Sequence, residues 1–187
     1  MKKIGIFGGT FDPIHNGHLI LARDAVGQLG LDELLFIPAA ISPHKLGQHP
    51  AAADARVAML RAAIEGEPRF CLDTLELERP APSFTIDTIE ALRIREPGVT
   101  FVFLIGEDNV SKLPTWHRFA ELSKMVQFAV LDRTGLKTAH PYPAVCRHID
   151  ISATDIRNRV ARDQSIRYLV PPAVEEIIRQ RQLYREP

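Results

Sequence analysis

Two histidines, His15 and His18, flank Gly17 in the stretch Gly8-Gly9-Thr10-Phe11-Asp12-Pro13-Ile14-His15-Asn16-Gly17-His18-Leu19, which follows the apolar run Ile4-Gly5-Ile6-Phe7. Imidazole N–H groups donate hydrogen bonds to phosphate oxygens, and a nearby phosphate dianion favours the charged ring. A glycine pair at a strand end lets backbone approach a bulky ligand without Cβ interference. Thr10 adds a hydroxyl, and Asp12-Pro13 sets a turn ahead of a helix. The mouth of that helix, with its unpaired N–H groups and positive dipole end, itself attracts an anion. The stretch reads as a phosphate site with imidazoles built in. The alternative is that one histidine caps the helix and the other is buried and satisfied.

The spacing excludes two common phosphate devices. A P-loop needs a lysine after its last glycine, and none follows here. The dinucleotide fingerprint needs three glycines opening the helix, a pattern that Gly5, Gly8 and Gly9 do not supply. A second candidate lies near the other end, Ile151-Ser152-Ala153-Thr154-Asp155-Ile156-Arg157. Small hydroxyl residues entering a helix donate to an anion, and Arg157 adds a guanidinium one turn in. An N-cap followed by a surface arginine is the plainer reading.

These residues need a scaffold, and apolar runs alternating with helix-like segments supply one. Strands are expected at 3–7, 33–38, 70–72 with 75–77, 100–105, 126–131 and 145–149. Helices are expected at 17–29, stopped by Gly30; from a cap at Asp54 through Val57, Leu60, Ala63 and Ile64; from Ser83 or Thr85 through Ile86, Ile89, Ala91 and Leu92; and at 116–125, 153–162 and 172–182. The pattern predicts an α/β fold with a doubly wound, mostly parallel sheet, helices on both faces and a helical C-terminal end. One domain over residues 1–187 suits this length. The segment 39–53 follows a strand end, where ligands sit in such sheets, and reads as a lid.

Composition narrows the partners. The 23 Lys+Arg balance 23 Asp+Glu, so nucleic acid is not expected as a partner. No apolar run approaches the roughly 18 residues of a membrane span, so a cytoplasmic protein without a membrane partner is expected. Cys71 and Cys146 stand in no metal or redox spacing and read as buried reduced thiols.

The two motifs together resemble the HxGH nucleotidyltransferase superfamily, with its early G-[TS]-F-D-P-x-H-x-G-H and late I-S-S-T/S-x-[IV]-R signatures. Positions 9–18 match throughout, and the late motif departs once, with Ala153 where serine is usual. Three further segments resemble the bacterial nicotinate mononucleotide adenylyltransferases over nearly the whole chain. They are Pro43-His44-Lys45, Ser83-Phe84-Thr85-Ile86-Asp87-Thr88, and Ile105-Gly106-Glu107-Asp108-Asn109 followed by Trp116. Phosphopantetheine adenylyltransferase shares the first motif but lacks the P-H-K and S-F-T-I-D-T segments.

The resemblance implies a Rossmann-like fold and transfer of AMP from ATP to nicotinate mononucleotide. Mg²⁺ would be held mainly through the ATP, with no protein metal site. His15, His18 and Lys45 would be catalytic. Gly8, Gly9, Thr10, Phe11, Gly17, Gly106, Asp108, Ser152, Thr154 and Arg157 would join both histidines around ATP. His44, Lys45, Thr85, Trp116 and Arg133 would hold the acceptor. Plainer readings stay beside these: a core aromatic for Trp116, an exposed lysine for Lys45, a helix cap for Asp108. Other acceptors, namely nicotinamide mononucleotide or phosphopantetheine, remain open, as do a non-catalytic nucleotide-binding regulator and a homo-oligomer.

Overall fold

Six strands form one sheet in a computed structural model that describes residues 1–40, 50–80, 83–134 and 139–185. They are β1 (Lys3–Gly9), β2 (Glu33–Pro38), β3 (Phe70–Leu72), β4 (Thr100–Gly106), β5 (Gln127–Asp132) and β6 (Ala144–Cys146). Every neighbouring pair is parallel, and the order is β3-β2-β1-β4-β5-β6. The crossovers are α1 (Asn16–Gln28), α2 (Ala53–Ile64), α3 (Thr85–Arg95), a 3-10 helix over Glu107–Thr115 and α4 (Phe119–Met125). Helices α5 (Ala153–Ala161) and α6 (Pro172–Gln180) complete the C-terminal end. The α/β, Rossmann-like architecture with helices on both faces is the expected one.

Alternation along each strand divides the core into two layers. On β4, Val102 and Leu104 join one layer with α1, α2, α5 and α6, while Phe101, Phe103 and Ile105 join the other with α3 and α4. On β2 the same split puts Leu34 and Phe36 on the first side and Leu35 and Ile37 on the second. Central strands buried on both faces therefore read as continuous apolar runs. Gly30, at φ 61, ends α1 in the left-handed region that favours glycine.

Several local expectations fail for identifiable reasons. Residues 75–77 are a turn rather than a strand, because Asp73 Oδ1 accepts from the Leu75 N–H (3.0 Å) and Thr74 O accepts from the Leu77 N–H (2.8 Å). Asp54 does not cap α2; it lies in the first turn and pairs with Arg181 at 2.6 Å. Trp116 does not begin a helix but terminates the 3-10 helix, and α4 starts only at Phe119, after Arg118 turns with φ 51. Cys71 is half-buried and Cys146 exposed, so neither thiol is fully enclosed. Among the described residues no helix is long and apolar enough to cross a membrane.

Candidate active site

Strands β1 and β4 lie side by side, and the chain leaves β1 toward β2 on one side while β4 and β5 run to the other. At such a switch point the connections diverge and open a crevice beyond the carboxyl ends of the strands. A cleft of about 1110 Å³ occupies this place, bordered by Gly8 and Gly9 from β1 and by Ile105 and Gly106 from β4.

Of the two histidines, only His18 is part of the cleft wall; His15 lies behind it, 2% exposed. Their rings stack with centroids 3.7 Å apart, and Phe7 and Phe11 close on His18 edge-on at 5.8 and 5.2 Å. Burial, with the Arg133 charge adding to it, pushes His15 down to about 4, so it is a neutral ring. Its Nδ1 is buried with no hydrogen-bond partner among the described residues. His18 Nδ1 accepts from the His15 N–H at 3.3 Å. An accepting nitrogen carries no proton, which makes Nε2 the donor of that ring. A Cβ on Gly17 would stand 3.0 Å from His15 Nδ1 and 3.2 Å from Ile149 Cγ2, which explains a glycine between the two histidines. The mouth of α1 is already partly engaged, since the Asn16 N–H donates to Leu169 O (2.9 Å) and its side-chain amide to Tyr168 O (2.7 Å).

The late motif meets the early one across the cleft. Thr154 and Arg157 border it beside Thr10, Phe11 and Asp12. Arg157 Nη1 donates to Asp12 O at 2.7 Å, and Nη2 donates to Thr154 Oγ1 at 3.3 Å. Ser152 stands apart from the wall: its Oγ accepts from the Asp155 N–H (3.1 Å) and caps α5, the plainer of the two readings made of it.

The opposite wall holds the residues expected to meet an acceptor. Ser83, Phe84 and Thr85 line it at the start of α3, whose N-cap residue Phe84 offers no side-chain hydrogen bond to the helix mouth. Trp116 lines it too, half-buried, with edge-on contacts to Phe103 at 5.9 Å and Phe128 at 6.3 Å. It packs partly on the core, as the plainer reading has it, and the rest of it borders the cleft. Asp108 and Arg133 also border the cleft. Residues 41–49 lie outside the described residues, and with them His44, Lys45 and most of the expected lid.

Sequence reasoning missed several wall residues. Lys112 and His117 add charge and a ring, His117 lying against Phe84 at 4.4 Å. Glu76 is buried, accepts from Thr88 Oγ1 at 2.8 Å, and is held above the usual carboxylate range by burial. Beneath the wall Arg56 is 2% exposed, on the buried face of α2 with Met59, Leu60 and Ile64, although its charge pointed to solvent.

Residues 6–159 match the family model described as cytidylyltransferase-like. A Bacillus pumilus protein named probable nicotinate-nucleotide adenylyltransferase is 45% identical, across 98% of this chain and 99% of its own length. The Bacillus subtilis nicotinate-nucleotide adenylyltransferase is 41% identical over the same shares. Among solved structures, Plasmodium falciparum nicotinic acid mononucleotide adenylyltransferase complexed with NaAD has a TM-score of 0.83 and 20% identity over 98% of both chains. The same enzyme complexed with APC has a TM-score of 0.80. At that identity the structural likeness speaks for the fold alone.

Proposed function

The chain belongs to the nicotinate-nucleotide adenylyltransferases of the cytidylyltransferase-like family, and we propose that its cleft is where AMP passes from ATP to nicotinate mononucleotide. The products are nicotinate adenine dinucleotide and pyrophosphate, a step of NAD biosynthesis. The observation that carries the siting is convergence: Gly9, Thr85, Trp116, Arg133 and Arg157 come from five separate segments and border one space with His18.

The chemistry asks little of the protein beyond placement and charge. A phosphate oxygen of the mononucleotide bonds to the α-phosphorus of ATP. The bridging P–O bond to the β-phosphate breaks, and pyrophosphate leaves with the electron pair. The attacking oxygen is already anionic, so no strong base and no covalent intermediate are needed. In this reading the polyphosphate lies against Gly8, Gly9, Thr10 and Phe11. The His18 Nε2–H and the Arg157 guanidinium donate to oxygens whose charge grows as the bond breaks. The acceptor ring rests on Trp116, and the mouth of α3 at Thr85 receives its carboxylate. His15 acts from behind, fixing the ring of His18 rather than touching phosphate. Lys45 and His44 are proposed to join from residues 41–49, with Asp108 near the ribose and Arg133 near the acceptor phosphate.

Mg²⁺ enters as part of the triphosphate substrate. The cation is proposed to ride on nucleotide oxygens and water rather than on a protein carboxylate cage. The proposed setting is the cytoplasm, with either a single copy or a homo-oligomer as the working form.

The test is product formation with ATP, Mg²⁺ and one of three acceptors: nicotinate mononucleotide, nicotinamide mononucleotide or phosphopantetheine. Pyrophosphate and nicotinate adenine dinucleotide should appear fastest with the first. Preference for phosphopantetheine, or ATP binding with no turnover on any acceptor, would contradict the reading.

A further inference from the structure

We propose that Arg56 and Tyr184 are positioning residues for His18, acting through a strained turn at Phe11. This rests on the reading that His18 meets the reacting phosphates. Arg56 is buried on α2 beside Ala55, Met59 and Leu60; among the described residues its hydrogen-bond partners are backbone carbonyls, and the Asp12 charge also acts on it. Nη1 donates to Thr10 O at 2.8 Å and to Ala39 O at 2.9 Å, and Nε donates to Ala51 O at 3.1 Å. A buried guanidinium is costly to desolvate, and an apolar residue would pack α2 without that cost. What the arginine adds is a simultaneous grip on the segments that follow β1, follow β2 and precede α2.

One residue beyond Thr10, Phe11 adopts φ 49, a left-handed conformation that disfavours a residue carrying a Cβ. Its other flank is held as firmly. Asp12 Oδ1 accepts from the Tyr184 hydroxyl at 2.7 Å and from the Ala51 N–H at 3.1 Å, while Asp12 O accepts from Arg157. The strained residue is thus pinned on both sides, and its ring lies edge-on against His18 at 5.2 Å. Releasing either pin lets Phe11 relax, and His18 loses the wall that orients it.

The experiment compares full-length wild type with Tyr184→Phe, Arg56→Lys and Arg56→Met. It measures kcat and KM for ATP and nicotinate mononucleotide, the melting temperature, and the NMR titration curve of the His18 ring. Arg56→Met should lose about tenfold in kcat, the scale expected when a donor shifts by a fraction of an ångström, with each KM changed less than about threefold. Arg56→Lys should recover part of the loss. Tyr184→Phe should stay folded, lose about threefold in kcat and shift the His18 titration. Unchanged kcat and an unchanged His18 titration in folded Tyr184→Phe and Arg56→Lys would overturn the proposal. So would losses that track only the drop in melting temperature. If wild type makes no dinucleotide at all, the reaction reading fails instead, and the His18 titration still decides the positioning.

Discussion

His15 lies face to face with His18 at 3.7 Å, and the two rings do different work because only one of them borders the cleft. Two stacked imidazoles cannot both become cations cheaply, and burial makes His15 the one that stays neutral, held down to about 4. In the unfolded chain its ring titrates near the ordinary 6.5. The unfolded state therefore binds a proton first as pH falls, and stability present above that range is lost as pH drops toward 4. Between pH 7.5 and 5 this one ring accounts for about 2 kcal/mol. Urea unfolding of wild type and His15→Asn at both values measures it: the variant should show the smaller decline. Parallel declines would mean that the ring is not shielded.

Gly17→Ala separates geometry from stability. Alanine is favoured over glycine in a helix by up to about 1 kcal/mol, so melting should change little. The new methyl, however, meets His15 at 3.0 Å and Ile149 at 3.2 Å, contacts that must open by a few tenths of an ångström. Turnover should fall by about tenfold through the displaced ring pair. A variant with unchanged kcat would show that His15 has room to move without consequence.

Trp116→Ala should raise KM for nicotinate mononucleotide about tenfold while leaving ATP affinity within about twofold, a loss typical of one aromatic stacking partner. Isothermal titration with each substrate reads the split. A fall in ATP affinity instead would assign the indole to the adenosine side. A melting collapse would leave Trp116 with only its packing against Phe103 and Phe128.

The parts of this molecule that were legible in the sequence are those governed by neighbours along the chain. The four longer strands announce themselves as apolar runs because the sheet is covered on both faces, and Gly30 marks the end of α1 by its conformation alone. Residues 75–77 also look like a strand, but a short side-chain bond from Asp73 outweighs their apolar character. Most of the wall, from Gly8 to Arg157, was legible because motif residues sit at strand ends and helix starts. A buried histidine was legible only as an alternative, and nothing along the chain says that His15 rather than His18 goes inside. Least legible were the bonds from Arg56 to Thr10 and from Tyr184 to Asp12, which span 46 and 172 residues and are chosen only by the fold. No spacing encodes a guanidinium that ends on carbonyls of distant turns.

The central claim is that His18 stabilises charge on the polyphosphate as pyrophosphate departs, and steady-state turnover of His18→Ala tests it most directly. With ATP, Mg²⁺ and nicotinate mononucleotide all saturating, kcat should fall by about 10²-fold or more, the cost of one preorganised donor, while the melting temperature stays close to wild type. A folded His18→Ala protein that turns over at the wild-type rate would contradict the account.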